Sequence, residues 1–377
     1  MITQYSTWDI PEYVSPSPNY ATLRHYLLKQ QADVRGFDTH RVLPSASATP
    51  LSFDVRSSAF VRKQMLTTSL LSFIYYESGT ILHDEITPPE MFGDLISNNT
   101  GLRSNSIGKS MVAYLLGHAI CDGYIESLDS RLNDWPAIEN TLYFNQRLID
   151  LLNMRAADFE HVHDVKGLLS SGRWYNVHSV GSFARNELKN TSPATGPRAR
   201  RYHYNGLVTN VLMNYLIYRI GSDFQAFINR VFRDKIGILN PVYFFRNRGF
   251  SQVDGPSWYM FYASRYDYLR ISKSILDDWN INNCVGKYLR ELYRRRESKG
   301  ESSHFRARFD SASYGGQFHM DYRRLRGRTV FGMDGYGGQS ILIDMDNNRI
   351  VLSHSIHTDY DWERTVLAAI RNGGLRG

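Results

Sequence analysis

Cysteine is scarce in this chain: 377 residues carry two, Cys121 and Cys284, far apart and at no metal-binding or redox spacing. That excludes a thiolate metal cluster and gives no sign of a cysteine nucleophile. Cys121 falls in an apolar helical stretch and reads as core, so two unpaired thiols are expected rather than a bridge, although the sequence permits one. No run approaches the ~20 apolar residues that a membrane span needs, so no membrane association is expected. The first ten residues lack a basic start, an apolar core and a small-residue cleavage site. As written the chain is expected in the cytoplasm; an incomplete or processed N-terminus would make it periplasmic or secreted.

Charge of one sign is in modest excess. The formal net charge is +7, with basic clusters at Arg198, Arg200 and Arg201 and at Arg294, Arg295 and Arg296. These are short, separate and outside any nucleic-acid module, so solvated faces are the commoner explanation and no nucleic-acid partner is expected. His161, His163 and Asp164 have the look of a metal pair without an identifiable third ligand, so neither metal nor cofactor is expected.

What is present centres on Ser106 and Lys109, a Ser-x-x-Lys pair opening the apolar run Met111 to Cys121. A serine hydroxyl needs a neighbour to accept its proton as it attacks a carbonyl, and a neutral lysine serves. A spacing of three brings both side chains onto one helical face. The run is apolar around its whole circumference, as in a buried helix. Desolvation and the helix dipole are expected to push Lys109 down from about 10.4 toward its neutral form. The Ser106 N–H sits at the same helix start, available for an oxyanion.

With this motif the chain resembles the serine β-lactamase and penicillin-binding-protein superfamily. Further phrases carry the likeness: Leu116-Gly-His-Ala-Ile120, Asp122-Gly-Tyr-Ile125, Leu128-Asp-Ser-Arg-Leu132 and Leu148-Ile-Asp-Leu-Leu-Asn-Met154. It covers roughly residues 60 to 370, strong locally and weak between motifs. The family's second element is a tyrosine ahead of a helix. Tyr204, in Tyr202-His-Tyr-Asn-Gly206 before the apolar run Val208 to Ile220, fits it, with Tyr202 as runner-up. Among 25 tyrosines a given one is far more often a packing residue.

The third element is a glycine-rich strand, matched by Asp334-Gly-Tyr-Gly-Gly-Gln339 and the run that follows it. The resemblance implies the Tyr336 N–H as second oxyanion donor and Gly335, Gly337, Gly338 and Gln339 as substrate-binding. The alternative is that these glycines only make a turn or bulge before a core strand.

Two departures narrow the chemistry. Gly206 stands where the family places asparagine, with Asn205 displaced by one, and Asp334-Gly335-Tyr336 lacks the cation that usually opens the third motif. That cation helps hold a substrate carboxylate, so penicillins and D-alanyl peptides are disfavoured. Arg200 and Arg201 are candidates to replace it at the mouth of the site. The glycine-rich phrase is closer to the 6-aminohexanoate-oligomer hydrolase and carboxylesterase branch. The implied function is a serine hydrolase acting on a small-molecule amide or ester, with an acyl-enzyme on Ser106 and Lys109 and Tyr204 as base and acid. No glutamate can be assigned as a deacylation base. The alternatives are a non-catalytic binding module of the same fold and a true β-lactamase or D-Ala carboxypeptidase; oligomeric state is open.

Organisation follows from periodicity. Residues 1–55, rich in Pro, Ser and Thr, are expected to wrap the surface with one helix near Ala21 to Gln31. Residues 56–377 form one catalytic domain. Strands are predicted near 66–86, turning at Glu77 to Thr80, and at 314–322, 329–333, 340–344 and 349–356, with a hairpin turn at 346–348 and a closing helix over 361–371. Helices are predicted to dominate 106–280. The fold class is therefore α+β, an α/β sandwich whose antiparallel sheet joins both ends of the chain (about 60–90 and 310–371), with an inserted all-helical subdomain. The active site is expected in the cleft between the two parts.

Overall fold

A computed structural model describes residues 18–33, 38–162, 179–197, 199–300 and 310–375. His163, Asp164 and Arg198 lie outside the described residues. Strands are numbered β1 Asp38–Val42, β2 Ser52–Phe53, β3 Leu70–Glu77, β4 Thr80–Ile86, β5 Leu102–Arg103, β6 Val242–Arg246, β7 Ser257–Ala263, β8 Glu297–Ser298, β9 Ser311–Gly315, β10 Phe318–Tyr322, β11 Val330–Gly335, β12 Gln339–Asp344 and β13 Arg349–Ser355. The main helices are α1 Tyr20–Asp33, α2 Ala59–Thr67, α3 Ile107–Cys121, α4 Leu148–Leu152, α5 Val180–Glu187, α6 Gly206–Ile220, α7 Phe224–Ile228, α8 Arg265–Ile281, α9 Cys284–Arg294 and α10 Ala368–Asn372.

The two ends of the chain share one sheet, in the order β2-β4-β3-β13-β12-β11-β10-β9-β8. Every described pair in it is antiparallel except β2 with β4. Its central strands are buried almost throughout because both faces are covered. Leu342 and Val351 pack with Val61 and Met65 of α2 and with Ile370 of α10. Their neighbours Ile341, Ile343, Ile350 and Leu352 turn the other way, into the core built on α3, α6 and α8.

Three local readings change. The stretch 314–322 is a hairpin, not one strand: Gly316 and Gln317 have φ of 58° and 66°, the positive pair a tight I′ turn demands. The segment 106–280 is not all helical, because β6 and β7 join β1 and β5 in a second sheet ordered β1-β6-β7-β5. Residues of the N-terminal extension thereby enter both sheets, β1 beside β6 and β2 beside β4.

The third change is covalent. Cys121, the last residue of α3, and Cys284, the first of α9, form a disulfide with a Cα–Cα distance of 5.8 Å. The expectation of two free thiols fails because Cys121 lies at the helix end, only partly covered, where the start of α9 meets it.

Candidate active site

Helix α3 is buried from Ile107 to Ala119, and Ser106 stands at its N-cap position, partly exposed and without a side-chain capping bond. One turn in, the Lys109 Nζ donates to the Ser106 Oγ at 2.9 Å, and Lys109 is only 2% exposed. The Tyr204 hydroxyl shares hydrogen bonds with both Ser106 and Lys109. Ser106, Lys109 and Tyr204 are thus brought together. Tyr202 packs against Tyr204, its ring tilted at 44° with the centroids 6.4 Å apart.

Lys109 does not titrate as expected. Burial lowers its pKa, but Tyr204 and Tyr259 outweigh that and hold it above its ordinary value. Burial in turn raises Tyr204. The resting pair is an ammonium facing a neutral phenol, and it must lose one proton before it can accept one from Ser106.

Tyr259 was not found from the sequence. It lies on β7 with its ring centroid 4.0 Å from the Lys109 Nζ and hydrogen-bonds to that amine. Its run, Ser257 to Ala263, is aromatic-rich and bounded by Gly255-Pro256 and the helix-capping Ser264, which is a strand signature. Gly108 explains how α3 comes so close: a Cβ there would overlap the Tyr259 carbonyl oxygen.

Two further residues hold the constellation. Asn105, at φ 45°, donates through Nδ2 to the Tyr336 carbonyl and, at 3.2 Å, to the Gln339 Oε1. It ties the residue before the nucleophile to the turn between β11 and β12. Asp158, fully buried, accepts from the Tyr143 hydroxyl at 2.9 Å, pairs with His203 at 2.8 Å and accepts from Asn205 Nδ2 at 2.9 Å. Asn205 Oδ1 in turn caps α6 by accepting from the Val208 N–H. That one-place displacement of the asparagine has a structural reason: it fixes the segment carrying Tyr204.

The glycine-rich segment closes β11, turns and opens β12. Gly337 and Gly338 have φ of 90° and 104°, so they make the turn itself. Gly335 is a close approach, but of protein: a Cβ there would lie 2.7 Å from the Ser104 carbonyl oxygen. Gln339 is 3% exposed, with its Oε1 accepting from Asn105 and its Nε2 donating to the Ser355 carbonyl. Its side chain braces the turn. Tyr336 lies half-buried in that turn. Arg200 pairs with Asp150 at 3.0 Å and Arg201 stacks on Phe159 at 3.9 Å. Among the described residues, no group of three or more His, Cys, Asp or Glu is poised to hold a metal.

No protein-family model and no curated protein matches the sequence. Solved structures do match. A candidate 6-aminohexanoate-dimer hydrolase from Bacillus anthracis superimposes with a TM-score of 0.68 at 12% identity, covering 98% of this chain and 96% of that one. A penicillin-binding protein from Bacillus halodurans gives 0.58 at 15% identity, covering 84% of this chain and 99% of that one. An octameric penicillin-binding-protein homologue from Pyrococcus abyssi gives 0.57 at 14%, covering 84% and 77%. With its antiparallel sheet, buried α3 and serine at the helix start, the chain has the α+β fold of the serine β-lactamase and penicillin-binding-protein superfamily.

Proposed function

We propose that this chain is a serine hydrolase that opens an amide or ester through an acyl-enzyme on Ser106. The observation that carries the reading is the 2.9 Å contact between a buried lysine amine and a reachable serine hydroxyl. A buried lysine is costly unless its partners compensate, and here they are Ser106, Tyr204 and Tyr259.

In the proposed reaction the Ser106 Oγ attacks the carbonyl carbon and its proton passes to the Lys109–Tyr204 pair. The Ser106 and Tyr336 N–H groups steady the oxyanion. Collapse expels the amine or alcohol, which takes the proton, and water then releases the acid and frees the serine. Tyr259 holds Lys109 in reach. Asp334 in the strand position before Gly335, together with the engaged Arg200 and Arg201, favours substrates without a carboxylate near the reacting bond. The Bacillus anthracis neighbour carries the name of a linear-amide hydrolase, and short linear amides and esters are accordingly the proposed substrates.

The test is covalent labelling by a fluorophosphonate followed by intact-mass measurement, with Ser106→Ala as control. One adduct on the wild type and none on the variant is expected. Its rate should rise with pH, because Lys109 is held above its ordinary value and the pair becomes a base only on losing a proton. Absence of an adduct at any pH would rule the reading out. Initial rates on p-nitrophenyl esters, linear amides and β-lactams then rank the substrate classes.

A further inference from the structure

Behind Tyr204 lies a second buried lysine that the reaction above does not use. Lys299 follows β8, is 5% exposed, and donates to the Ser311 hydroxyl and, at 2.6 Å, to the His319 Nδ1. Because that nitrogen accepts, a neutral His319 carries its proton on Nε2, which faces the Asp334 Oδ2 at 3.8 Å. Asp334 is itself 5% exposed and accepts from the Ser340 hydroxyl at 2.9 Å. The His319 ring also packs on Tyr314, with centroids 5.1 Å apart, and on Tyr204, at 6.3 Å. A continuous line of groups runs from Lys299 through His319 and Tyr204 to Lys109 and Ser106.

We propose that Lys299, His319 and Asp334 form a positioning set for Tyr204: they fix the wall the phenol leans on and place behind it a charge that sets how readily the Lys109–Tyr204 pair gives up its proton. The proposal rests on the hydrolase reading. Three strands, β8, β9 and β10, bring Lys299, Ser311 and His319 together, and β11 adds Asp334 directly ahead of the Gly335–Gly338 turn. An unpaired ammonium buried here would be prohibitive, and a lysine without function is readily replaced by an apolar residue.

The sign of the effect follows from the charges. Burial pulls the Lys299 amine down to about 7, with Asp334 pulling the other way. Burial, then Lys299 and Lys109, keep His319 neutral. The remaining groups facing the set are the neutral phenols Tyr314 and Tyr322, both raised by burial, and the Lys109–Tyr204 pair. The outer charges Glu297 and Asp321 are paired with Arg155 and Arg296. Below pH 7 the Lys299 ammonium adds positive charge behind Tyr204 and eases loss of the pair's proton. Above it that help disappears.

The rising pH profile of Ser106 labelling should therefore break near pH 7 into two offset limbs. Fluorophosphonate labelling across roughly pH 5 to 10 reads this directly. Lys299→Met is expected to erase the break, slowing labelling about tenfold on the acid side and little on the alkaline side. Asp334→Asn, nearly isosteric, should move the break to lower pH. An unbroken wild-type profile, a Lys299→Met loss equal at every pH, or an unmoved break in Asp334→Asn would each overturn the proposal while leaving the hydrolase reading intact. Failure to label the wild type at all would overturn both.

Discussion

Gly108 sits inside the Ser-x-x-Lys tetrad, and its lack of a side chain is a packing requirement. Alanine is ordinarily better than glycine within a helix by about 1 kcal/mol. Here a Cβ would overlap the Tyr259 carbonyl, so α3 and β7 must part. Gly108→Ala should therefore destabilise by roughly 1–3 kcal/mol instead of stabilising, and slow Ser106 labelling at least about tenfold by moving Lys109 off Tyr259. Chemical denaturation and labelling rates check both; a variant as stable as wild type with full labelling would mean that the close approach is not needed. At this scale Ser106, Lys109 and Tyr204 were legible because a helical repeat and a motif position are local. Tyr259 and Asn105 were not. Each acts across a strand or a turn whose partner lies well over a hundred residues away, and no spacing records that.

Among the elements, α3 is the one the rest hold. Its start is tied to β7, where the Ser104 Oγ accepts from the Phe261 N–H at 2.9 Å, and its first turn to the β9–β10 hairpin, where the Ser110 Oγ donates to the Gln317 carbonyl at 2.6 Å. Its far end is bonded to α9 through Cys121 and Cys284. A bridge closing a loop this long should contribute on the order of 2–5 kcal/mol. Reduction is expected to lower the unfolding free energy by that amount, and the denaturation midpoint with it, and thiol alkylation of the unfolded, unreduced chain to find nothing to modify. Two alkylated cysteines without reductant would refute the bridge. Among the described residues no helix is long and apolar enough to cross a membrane. The elements themselves were legible where patterning was strong: the strands near 70–86 and 330–355 follow their apolar runs. Strand β7 was lost among helices because a short apolar run has no period that separates the two.

For the whole molecule, the largest fully buried charged side chain among the described residues is Arg265, 1% exposed at the start of α8. It pairs with Asp84 at 2.6 Å and donates to the Ser72 hydroxyl and the Glu85 carbonyl, pinning the helical half to the main sheet. Acid should loosen this body through its buried histidines. Burial holds His40 at about 4 and His118 and His354 at about 3, all below the ordinary 6.5. The unfolded chain takes up protons that the folded one refuses, so stability is constant with respect to these groups above pH 6.5 and falls as pH drops toward 3–4. Each contributes a slope of up to about 1.4 kcal/mol per pH unit within that window. Denaturation midpoints measured from neutrality downward should decline below pH 6.5, less steeply in His354→Gln; a flat profile to pH 5 would contradict neutral burial. The union of N-terminal and C-terminal strands in one sheet was readable from the two strand-rich ends, but the second sheet was not, because its β1 comes from a stretch whose composition suggests only surface chain.

The bond between residues 121 and 284 has a topological side as well. It turns everything from α4 to α8, Tyr204 and Tyr259 included, into a closed ring that begins and ends at the foot of the nucleophile's helix. A protease that severs one peptide link inside that ring opens it without dividing the polypeptide. Ser106, Tyr204 and Tyr259 remain parts of a single covalent body wherever the cut falls.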